Sequence, residues 1–468
     1  MAERRRSPLR ERPRTWLDQV GSIADRGREI IGLGVAGRRP QSLEALCRRL
    51  VELRGEATAL AVAVELVDRL EKMDDAGLAE FASLLASGFE PDPRAVERAI
   101  DGWQAAHDPI ALQALEATAE APRQELFRRL NMAPGGTGVL VRLRGVIGRE
   151  LRSSKPPALA PVDQDLLHLL NSWFNRGFLQ LREITWNTPA AVLERLIAHE
   201  AVHEIRGWGD LRGRLAEDRR CFAFFHPVLP DEPLVFVEVA LTKGVAASIE
   251  PLIATDREIG DPGQADTAIF YSISNTQDGL RGISFGSFLI KQVMGELAAE
   301  LPNLSTFATL SPVPGLARAL GRRDDPDGFT LPRLRALFAE GRRRDGLVDP
   351  APALATLVEP DADLTDAERE RLRLLAVAYL TQMRRRHRAA DGVAHFHLSN
   401  GARLERVHVG ADRSAGGRVS CGVMVNYRYD PDQVEVNHER YVETGEVITS
   451  RSLGAAVRRA RAAWNSVE

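Results

Sequence analysis

The spacing of hydrophobic positions changes about halfway along the chain. From about residue 40 to 198, apolar residues recur every three or four positions, as in SLEALCRRLVELRGEATALAVAVELVDRL (42–70) and AGLAEFASLLASGF (76–89). This spacing is typical of amphipathic helices, and prolines and the PGG of 134–136 separate the segments. The pattern predicts an all-α helical bundle over 1–173, serving packing, oligomerisation or partner contact, with about the first 12 residues disordered.

Beyond Trp208, β-branched and aromatic residues dominate. CFAFFHPV and PLVFVEVAL, within 221–241, flank the turn LPDEP and predict a hairpin, and AIFYSIS (268–274) predicts a third strand. A Gly-rich loop then leads into an amphipathic helix over 287–301 and a short strand over 305–312. This order of strand, glycine loop, helix and strand predicts an α/β domain over 174–468.

The remainder of this second half predicts further elements. Helices are expected at about 333–341 and 365–386, and two late strands at about 402–408 and 419–427.

Composition excludes several classes of protein. A length of 468 residues favours two domains, and a net charge of −3 gives no reason to expect a nucleic-acid partner. The three cysteines are odd in number and widely spaced, which predicts no disulfide framework and fits a reducing compartment. No apolar run reaches the roughly 20 residues that span a bilayer. We therefore expect a cytoplasmic protein without a membrane partner.

The loop from Arg281 to Ser287 precedes a helix, where unpaired N–H groups and the helix dipole favour an anion. Gly282 and Gly286 allow the backbone close to a phosphate, Arg281 adds charge, and Ser287 is placed to cap the helix. The spacing fits neither a Walker loop nor a dinucleotide fingerprint. It is similar to the pyrophosphate-binding turn of GNAT-like acetyltransferases, although an ordinary tight turn remains the alternative.

HEAVH (199–203) matches the zinc-protease pattern HExxH, in which two histidines share one helical face. The following residues, EIRGWGDLRGRL, contain no histidine, and Glu204 is too close to act as the third ligand. We therefore expect no metal here, and a helix end between the two domains with solvated histidines.

Six motifs in a fixed order resemble the malonyl-CoA decarboxylase family over most of the chain. They are EAVHEIRGWGDLRGRL (200–215), EPLVFVEVALT (232–242), AIFYSISNTQDGLRGISFGSFLIKQV (268–293), LSPVPG (310–315), FHLSNGA (396–402) and CGVMVNYRY (421–429). The N-terminal half matches less sharply, in phrases such as WFNRGFLQLREITW (173–186).

The resemblance implies a helical oligomerisation domain, a GNAT-like catalytic domain, a homotetramer, and conversion of malonyl-CoA to acetyl-CoA and carbon dioxide. It assigns the catalytic residues as Ser311, His397 and Tyr429. It assigns acyl-CoA binding to Arg281, Gly282, Ile283, Ser284, Phe285, Gly286 and Ser287. The family often has a glutamate where this chain has Ser284, so no carboxylate role is expected there. It does not always have the first histidine of HEAVH, which weakens the zinc interpretation further.

The chemistry suits these residues. Loss of carbon dioxide leaves an enolate with the thioester as electron sink, so no cofactor is expected. Ser311 can hydrogen-bond the thioester or the carboxylate, His397 can protonate the carbanion, and Tyr429 can bind substrate or orient His397. Asn275 and Gln277 are candidates to bind the malonyl or pantetheine part.

Three other functions remain open from the residues alone. An acyl-CoA-dependent N-acyltransferase would share the phosphate loop but require an amine acceptor. A non-catalytic acyl-CoA sensor or scaffold would bind malonyl-CoA without releasing carbon dioxide. A zinc peptidase would contain stoichiometric metal. His226, His395 and His408 are expected to be structural, the last two on a hairpin with His397. Fatty-acid control and malonate use as a carbon source require the same catalyst.

Overall fold

A computed structural model describes residues 41–153, 156–283, 286–321 and 363–465. The disorder expected for about the first 12 residues and the helix expected at about 333–341 lie outside these ranges. The described chain divides into two compact units. The first contains the residues up to Phe178 together with 226–230 and 277–283, and the second contains the rest.

The first unit is helical, as the apolar spacing predicts. Its α-helices are α1 (Leu43–Glu52), α2 (Glu56–Glu71), α3 (Asp75–Gly88), α4 (Pro93–Ala106), α5 (Pro109–Ala119), α6 (Pro122–Asn131), α7 (Gly136–Ser153) and α8 (Leu159–Trp173). Three of the prolines that separate the apolar segments are the first residues of α4, α5 and α6, where proline leaves no hydrogen bond unmade.

The core of this unit is built from leucines at helical spacing, including Leu66 and Leu70 of α2 and Leu140 of α7, which are fully buried. The pair α4 and α5 differs from its neighbours because neither helix contains a buried residue. Ile110 of α5 is 78% exposed. An amphipathic helix pair with its apolar side chains in water is incomplete as an isolated unit.

The second unit is built on a mixed sheet. Its strands are β1 (Gln180–Ile184), β2 (Arg219–Phe225), β3 (Val235–Thr242), β4 (Thr267–Asn275), β5 (Thr306–Thr309), β6 (Ser311–Pro312), β9 (Arg403–His408) and β10 (Met424–Tyr429), with a separate small ribbon of β7 (Arg384–Arg385) and β8 (Arg388–Ala389). The predicted hairpin is confirmed, because β2 and β3 pair antiparallel. Strand β4 pairs antiparallel with β3 and parallel with β5.

Helices cover this sheet. They are α9 (Ala190–His199), α10 (Trp208–Arg214), α11 (Glu250–Ile253), α12 (Gly286–Glu300), α13 (Leu316–Gly321), α14 (Asp366–Gln382), α15 (Gly392–Ser399), α16 (Val434–Thr444) and α17 (Gly454–Asn465). Alternate residues of β2, Cys221, Ala223 and Phe225, pack in one apolar cluster with Leu193 and Leu196 of α9. This alternation is the one expected for a strand with a buried face. The fold class predicted from the sequence, a helical bundle followed by an α/β domain, is confirmed.

Several predicted elements differ in detail. The helix expected over 365–386 ends at Gln382, and the last strand runs over 424–429 instead of 419–427 because residues 415–420 form a 3-10 turn. His395 and His397 lie on the helix α15 and not on a hairpin. Within the described ranges, no helix combines the length and apolar character needed to cross a bilayer.

The segment 277–283 packs on α7. Arg144 of α7 donates hydrogen bonds to the carbonyl oxygens of Gly279 (2.6 Å) and Arg281 (2.8 Å), and it forms an ion pair with Asp163 (3.0 Å). A Cβ atom on Gly279 would collide with the carbonyl oxygen of Val141. Only glycine permits this close approach of two backbones.

We expect Gly279→Ala to destabilise the protein by about 1–3 kcal/mol, because the added methyl group must displace α7. Thermal and urea unfolding measure this change. The matched control is Gly295→Ala on α12, where a Cβ atom meets nothing within 4 Å and alanine favours the helix. Equal stability of the two variants would contradict the proposed packing.

Candidate active site

The side chains of Ser311, His397 and Tyr429 form one hydrogen-bonded line in the second unit. Ser311 Oγ lies 3.0 Å from Nε2 of His397, and Nδ1 of the same ring lies 2.9 Å from the Tyr429 hydroxyl. The three residues come from β6, α15 and β10, separated by up to 118 positions along the chain from Ser311 to Tyr429. The structure therefore brings together all three residues proposed as catalytic.

The sheet sets this arrangement. Strand β10 pairs antiparallel with both β5 and β6, with Tyr429 opposite Phe307 and Val425 opposite Ser311. Leu310 separates the two short strands. Helix α15 then packs so that His397 lies near the tyrosine side chains of β10.

The imidazole of His397 is almost completely excluded from water, with 2% of the residue exposed. Burial lowers the pKa of His397 to about 3, because a charged ring loses its hydration. Burial also raises the pKa of the Tyr429 hydroxyl well above its ordinary value. At neutral pH the line therefore consists of a neutral imidazole between two neutral hydroxyl groups. Ser311 donates its single hydroxyl hydrogen to Thr309, so Nε2 of the ring donates to Ser311 and Nδ1 accepts from Tyr429.

Two further residues at this site had not been singled out from the sequence. The ring of Tyr427 stacks on that of His397, with centroids 4.6 Å apart and planes inclined by 23°. The hydroxyl of Thr309 accepts a hydrogen bond from Ser311 Oγ at 3.0 Å. Each lies two positions from an assigned residue, Thr309 from Ser311 and Tyr427 from Tyr429. The two-residue period of a strand was the signal that could have identified them.

The Tyr427 hydroxyl is buried and has no hydrogen-bond partner among the described residues. Tyr427 is fully buried, and its pKa is raised well above the ordinary value by burial. It therefore contributes a neutral aromatic face to His397.

The start of α12 is a candidate anion site near the same edge of the sheet. Strands β4 and β5 are parallel, and their pairing ends at Phe270 and Thr309. Because α12 runs back between two parallel strands, its first turn lies at the edge where both strands end, and Ser311 follows directly at that edge. Beyond Phe270, strand β4 pairs only with β3 in the described part of the chain. The two strands thus separate where a helix N-terminus is available for a phosphate.

The predicted acyl-CoA loop is partly described. Arg281 is exposed, its guanidinium is 3.4 Å from Asp278, and Gly282 has a φ of 89° that favours glycine. Ile283 is half-buried, whereas Ser284 and Phe285 lie outside the described residues.

The helix after this loop begins at Gly286, one residue earlier than expected. Ser287 therefore lies inside the first turn and does not occupy the cap position predicted for it. Arg281 to Ile283 belong to the first unit, and Gly286 and Ser287 belong to the second.

The remaining predicted binding residues lie on either side of the end of β4. Asn275 is its last residue and is exposed. Gln277 begins the segment that packs on α7 and is half-buried.

The HEAVH segment does not have the geometry of a zinc-protease motif. Helix α9 ends at His199, so the two histidines do not share one helical face. The expectation that these histidines are solvated is wrong for His203, which is 6% exposed and whose pKa burial lowers to about 4. Glu200 instead accepts hydrogen bonds from Ser272 (2.6 Å) and Ser274 (3.0 Å) of β4. These contacts connect the chain after α9 to the sheet.

Within the described residues, no group of three or more histidine, cysteine, aspartate or glutamate side chains is arranged to hold a metal ion. All three cysteines, Cys47, Cys221 and Cys421, are buried and unpaired.

The chain is similar to known proteins over nearly its whole length. Residues 89–174 match the family described as malonyl-CoA decarboxylase N-terminal domain, and residues 177–467 match its C-terminal domain. The mouse protein named malonyl-CoA decarboxylase, mitochondrial, is 33% identical, covering 96% of this chain and 95% of that protein.

Solved structures are similar as well. The malonyl-CoA decarboxylase of Rhodopseudomonas palustris is 46% identical with a TM-score of 0.79, covering 90% of this chain and all of that one. The malonyl-CoA decarboxylase of Agrobacterium vitis is 44% identical with a TM-score of 0.75, covering 89% of this chain and all of that one. The resemblance inferred from the six motifs is thus confirmed, and the chain belongs to the malonyl-CoA decarboxylase family.

Proposed function

We propose that this protein converts malonyl-CoA to acetyl-CoA and carbon dioxide at the site formed by Ser311, His397 and Tyr429. The observation that carries the proposal is the buried hydrogen-bonded line of these three side chains. Ser311 and Tyr429 lie on paired neighbours in the sheet, and the chain belongs to this family. A site of this kind can bind the phosphates of coenzyme A and also hold acid–base side chains next to the malonyl group.

The reaction requires few protein groups. Cleavage of the carbon–carbon bond leaves its electron pair on the carbon next to the thioester, and the thioester carbonyl accepts that charge as an enolate. The protein must stabilise the developing oxyanion, orient the departing carboxylate and supply a proton to carbon. Side chains with hydroxyl and imidazole groups can supply all three, so we propose a mechanism without a cofactor.

The proton balance suggests how His397 acts. The malonyl carboxylate carries one negative charge. Its loss gives neutral carbon dioxide and a new C–H bond in the methyl group of acetyl-CoA, so one turnover consumes one proton. His397 is neutral in the empty site because of its burial. A substrate carboxylate beside the ring brings a negative charge into that site and favours the imidazolium. The proton then passes to the carbanion once carbon dioxide has left, and the ring returns to the neutral form.

Ser311 and Tyr429 take complementary parts in this proposal. Ser311 Oγ, next to Nε2 of His397, donates to the thioester oxygen or the carboxylate and lies in the path of the proton. Tyr429, at Nδ1, holds the ring orientation and its tautomer. Removal of one preorganised donor of this type costs on the order of 10²- to 10³-fold in rate.

The exposed residues Arg281, Gly282 and Asn275 are proposed to contact coenzyme A, together with Ile283, Ser284, Phe285, Gly286, Ser287 and Gln277. Support comes from the exposed guanidinium of Arg281 and from the start of α12 at Gly286. Each of these two groups can by itself donate hydrogen bonds to a phosphate.

We expect purified protein to release carbon dioxide from malonyl-CoA in the presence of a chelator and without any acceptor amine. Ser311→Ala and His397→Gln should each reduce kcat at least about 100-fold, because each removes a preorganised hydrogen-bonding group. Ser452→Ala, an exposed serine of the same unit, is the control and should retain wild-type turnover.

Turnover that needs an amine would favour an N-acyltransferase. Binding of malonyl-CoA without carbon dioxide release would favour a sensor or scaffold. Loss of activity with the chelator would favour metal chemistry. Wild-type rates in both variants would remove the proposed site.

We expect binding of a non-reactive analogue to be accompanied by proton uptake at about pH 6–8, because burial lowers the pKa of His397 to about 3 in the free protein and the carboxylate of the analogue raises it. A thioether analogue that keeps the carboxylate but has CH₂ in place of the thioester carbonyl cannot decarboxylate. Its affinity should therefore increase as pH falls over this range. Calorimetry in buffers of different ionisation enthalpy measures the uptake. The variant His397→Gln should bind without it, and absence of uptake in the wild type would contradict the proposed cycle.

We propose that the helical domain, taken as residues 1–173, assembles the protein into a homotetramer, with residues 174–468 as the catalytic domain. The apolar side chains of α4 and α5 support this assembly. Ile100 is 37%, Ile110 78% and Leu112 43% exposed. A second copy would bury these side chains, since such patches are characteristic of interaction surfaces.

Ile110→Asp combined with Leu112→Asp should reduce the mass of the assembly, because a charge in an apolar contact must be desolvated. Light scattering after size-exclusion chromatography measures the mass. Val436→Asp on α16 is a matched control on an exposed apolar residue of the second unit. An unchanged mass in the double variant would exclude this surface.

A cytoplasmic location remains a prediction. Its support is the set of three buried, unpaired cysteines, which a reducing compartment maintains. Roles in fatty-acid control and in malonate use would both employ the same reaction. The net charge of −3 gives no reason to expect a nucleic-acid partner.

A further inference from the structure

Asp391 connects the two elements that carry Ser311 and His397. Its carboxylate Oδ1 accepts hydrogen bonds from the backbone N–H groups of Val393 and Ala394, each at 3.0 Å, at the start of α15. Its Oδ2 accepts from the N–H of Gly315 at 3.0 Å. Tyr379 of α14 forms a further hydrogen bond to the same carboxylate. One side chain thus joins three segments of the unit.

This carboxylate is buried, with 2% of Asp391 exposed, and it has no ion-pair partner among the described residues. Three of its four donors are backbone N–H groups, which can only donate. Both oxygens must therefore act as acceptors. A buried carboxylate that accepts this many hydrogen bonds fixes the positions of the backbone segments that donate them.

The two bonded segments lead directly to the reacting side chains. Gly315 lies four residues after Ser311, and the intervening Pro312 and Pro314 restrict the backbone of that turn. On the other side, His397 lies one helical turn beyond Ala394. The separation of Ser311 Oγ from His397 Nε2 therefore depends on how Asp391 joins the two backbones.

The close packing around Gly315 independently indicates that its contact with Asp391 is constrained. A Cβ atom at this position would collide with the Tyr379 hydroxyl and would lie 3.0 Å from Asp391 Oδ2. The glycine of LSPVPG is thus required by the close approach of the carboxylate and the phenol, and not by its φ angle. Only a residue without a side chain lets its N–H reach Asp391.

We propose that Asp391 is a positioning residue for decarboxylation, which sets the distance between Ser311 and His397 by bridging the turn after β6 to the start of α15. The inference rests on the proposed function of these two residues. Asp391 itself does not touch the substrate. The alternative is that Asp391 only caps α15 and stabilises the fold.

Asparagine separates these two roles. Asn caps helices as well as Asp does, so Asp391→Asn retains an acceptor for Val393 and Ala394. Its amide nitrogen then faces the N–H of Gly315, where two donors repel each other and the bridge opens. Asp391→Ala removes both functions.

The experiment compares kcat and KM for malonyl-CoA among these variants, with thermal unfolding measured alongside. Asp391→Asn should lower kcat about 10- to 100-fold and leave KM within about twofold, since a small misplacement of reacting groups acts on the chemical step. Tyr379→Phe, which leaves the Gly315 bond in place, should lower kcat less than about threefold. In a crystal structure of Asp391→Asn, the Ser311 Oγ to His397 Nε2 distance should exceed 3.5 Å.

Gly315→Ala tests the same hydrogen bond in a second way. It keeps the Asp391 carboxylate and its capping of α15, but the added methyl group prevents the Gly315 N–H from reaching Asp391. It too should lower kcat at unchanged KM. Asp74→Ala is the matched control. Asp74 caps α3 by accepting from Gly77 N–H at 2.9 Å, so its loss should affect stability and not kcat.

Wild-type kcat in either Asp391→Asn or Gly315→Ala would overturn the inference and leave Asp391 as a cap. Failure of the wild type to release carbon dioxide would instead refute the proposed function, which the same series tests first.

Discussion

Exclusion of water from the imidazole of His397 is the constraint on which the rest of the site depends. A ring that is 2% exposed stays neutral, and its two nitrogens must find partners inside the protein. The hydroxyls of Ser311 and Tyr429 satisfy them without adding charge. The proposed chemistry exploits this situation, because a site without charge is poised to take up a proton when an anionic substrate enters.

A second buried polar cluster in the same unit is organised differently. Arg214 donates to Glu238 at 2.9 Å and to Asp210 at 3.1 Å, and Glu200 accepts from two serines of β4. Burial, followed by the neighbouring Glu200, raises the pKa of Glu238 to about 8. This cluster has charged partners to offset the cost of burial, whereas the imidazole of His397 meets that cost by remaining neutral. The contrast shows two ways of burying ionisable groups in one sheet domain.

Much of the fold followed from local pattern. The three- and four-residue spacing predicted the helices of the first unit, and the runs within 221–241 predicted a hairpin that the strand pairing confirms. The candidate catalytic residues came from ordered motifs, since a lone serine or histidine carries too little information. Thr309 and Tyr427 were missed because the packing of α15 on the sheet decides which strand residues surround Ser311 and His397, although their spacing from Ser311 and Tyr429 was visible.

The sequence by itself determined where helices and strands occur, the order of the elements and the family to which the chain belongs, because these depend on periodicity, turn residues and motif order. Tertiary structure alone decided that His397 lies on a short helix instead of a hairpin, that His203 is buried, and that Asp391 bridges to Gly315. Burial and hydrogen bonding between distant segments depend on how the segments pack. That packing is absent from any local pattern along the chain.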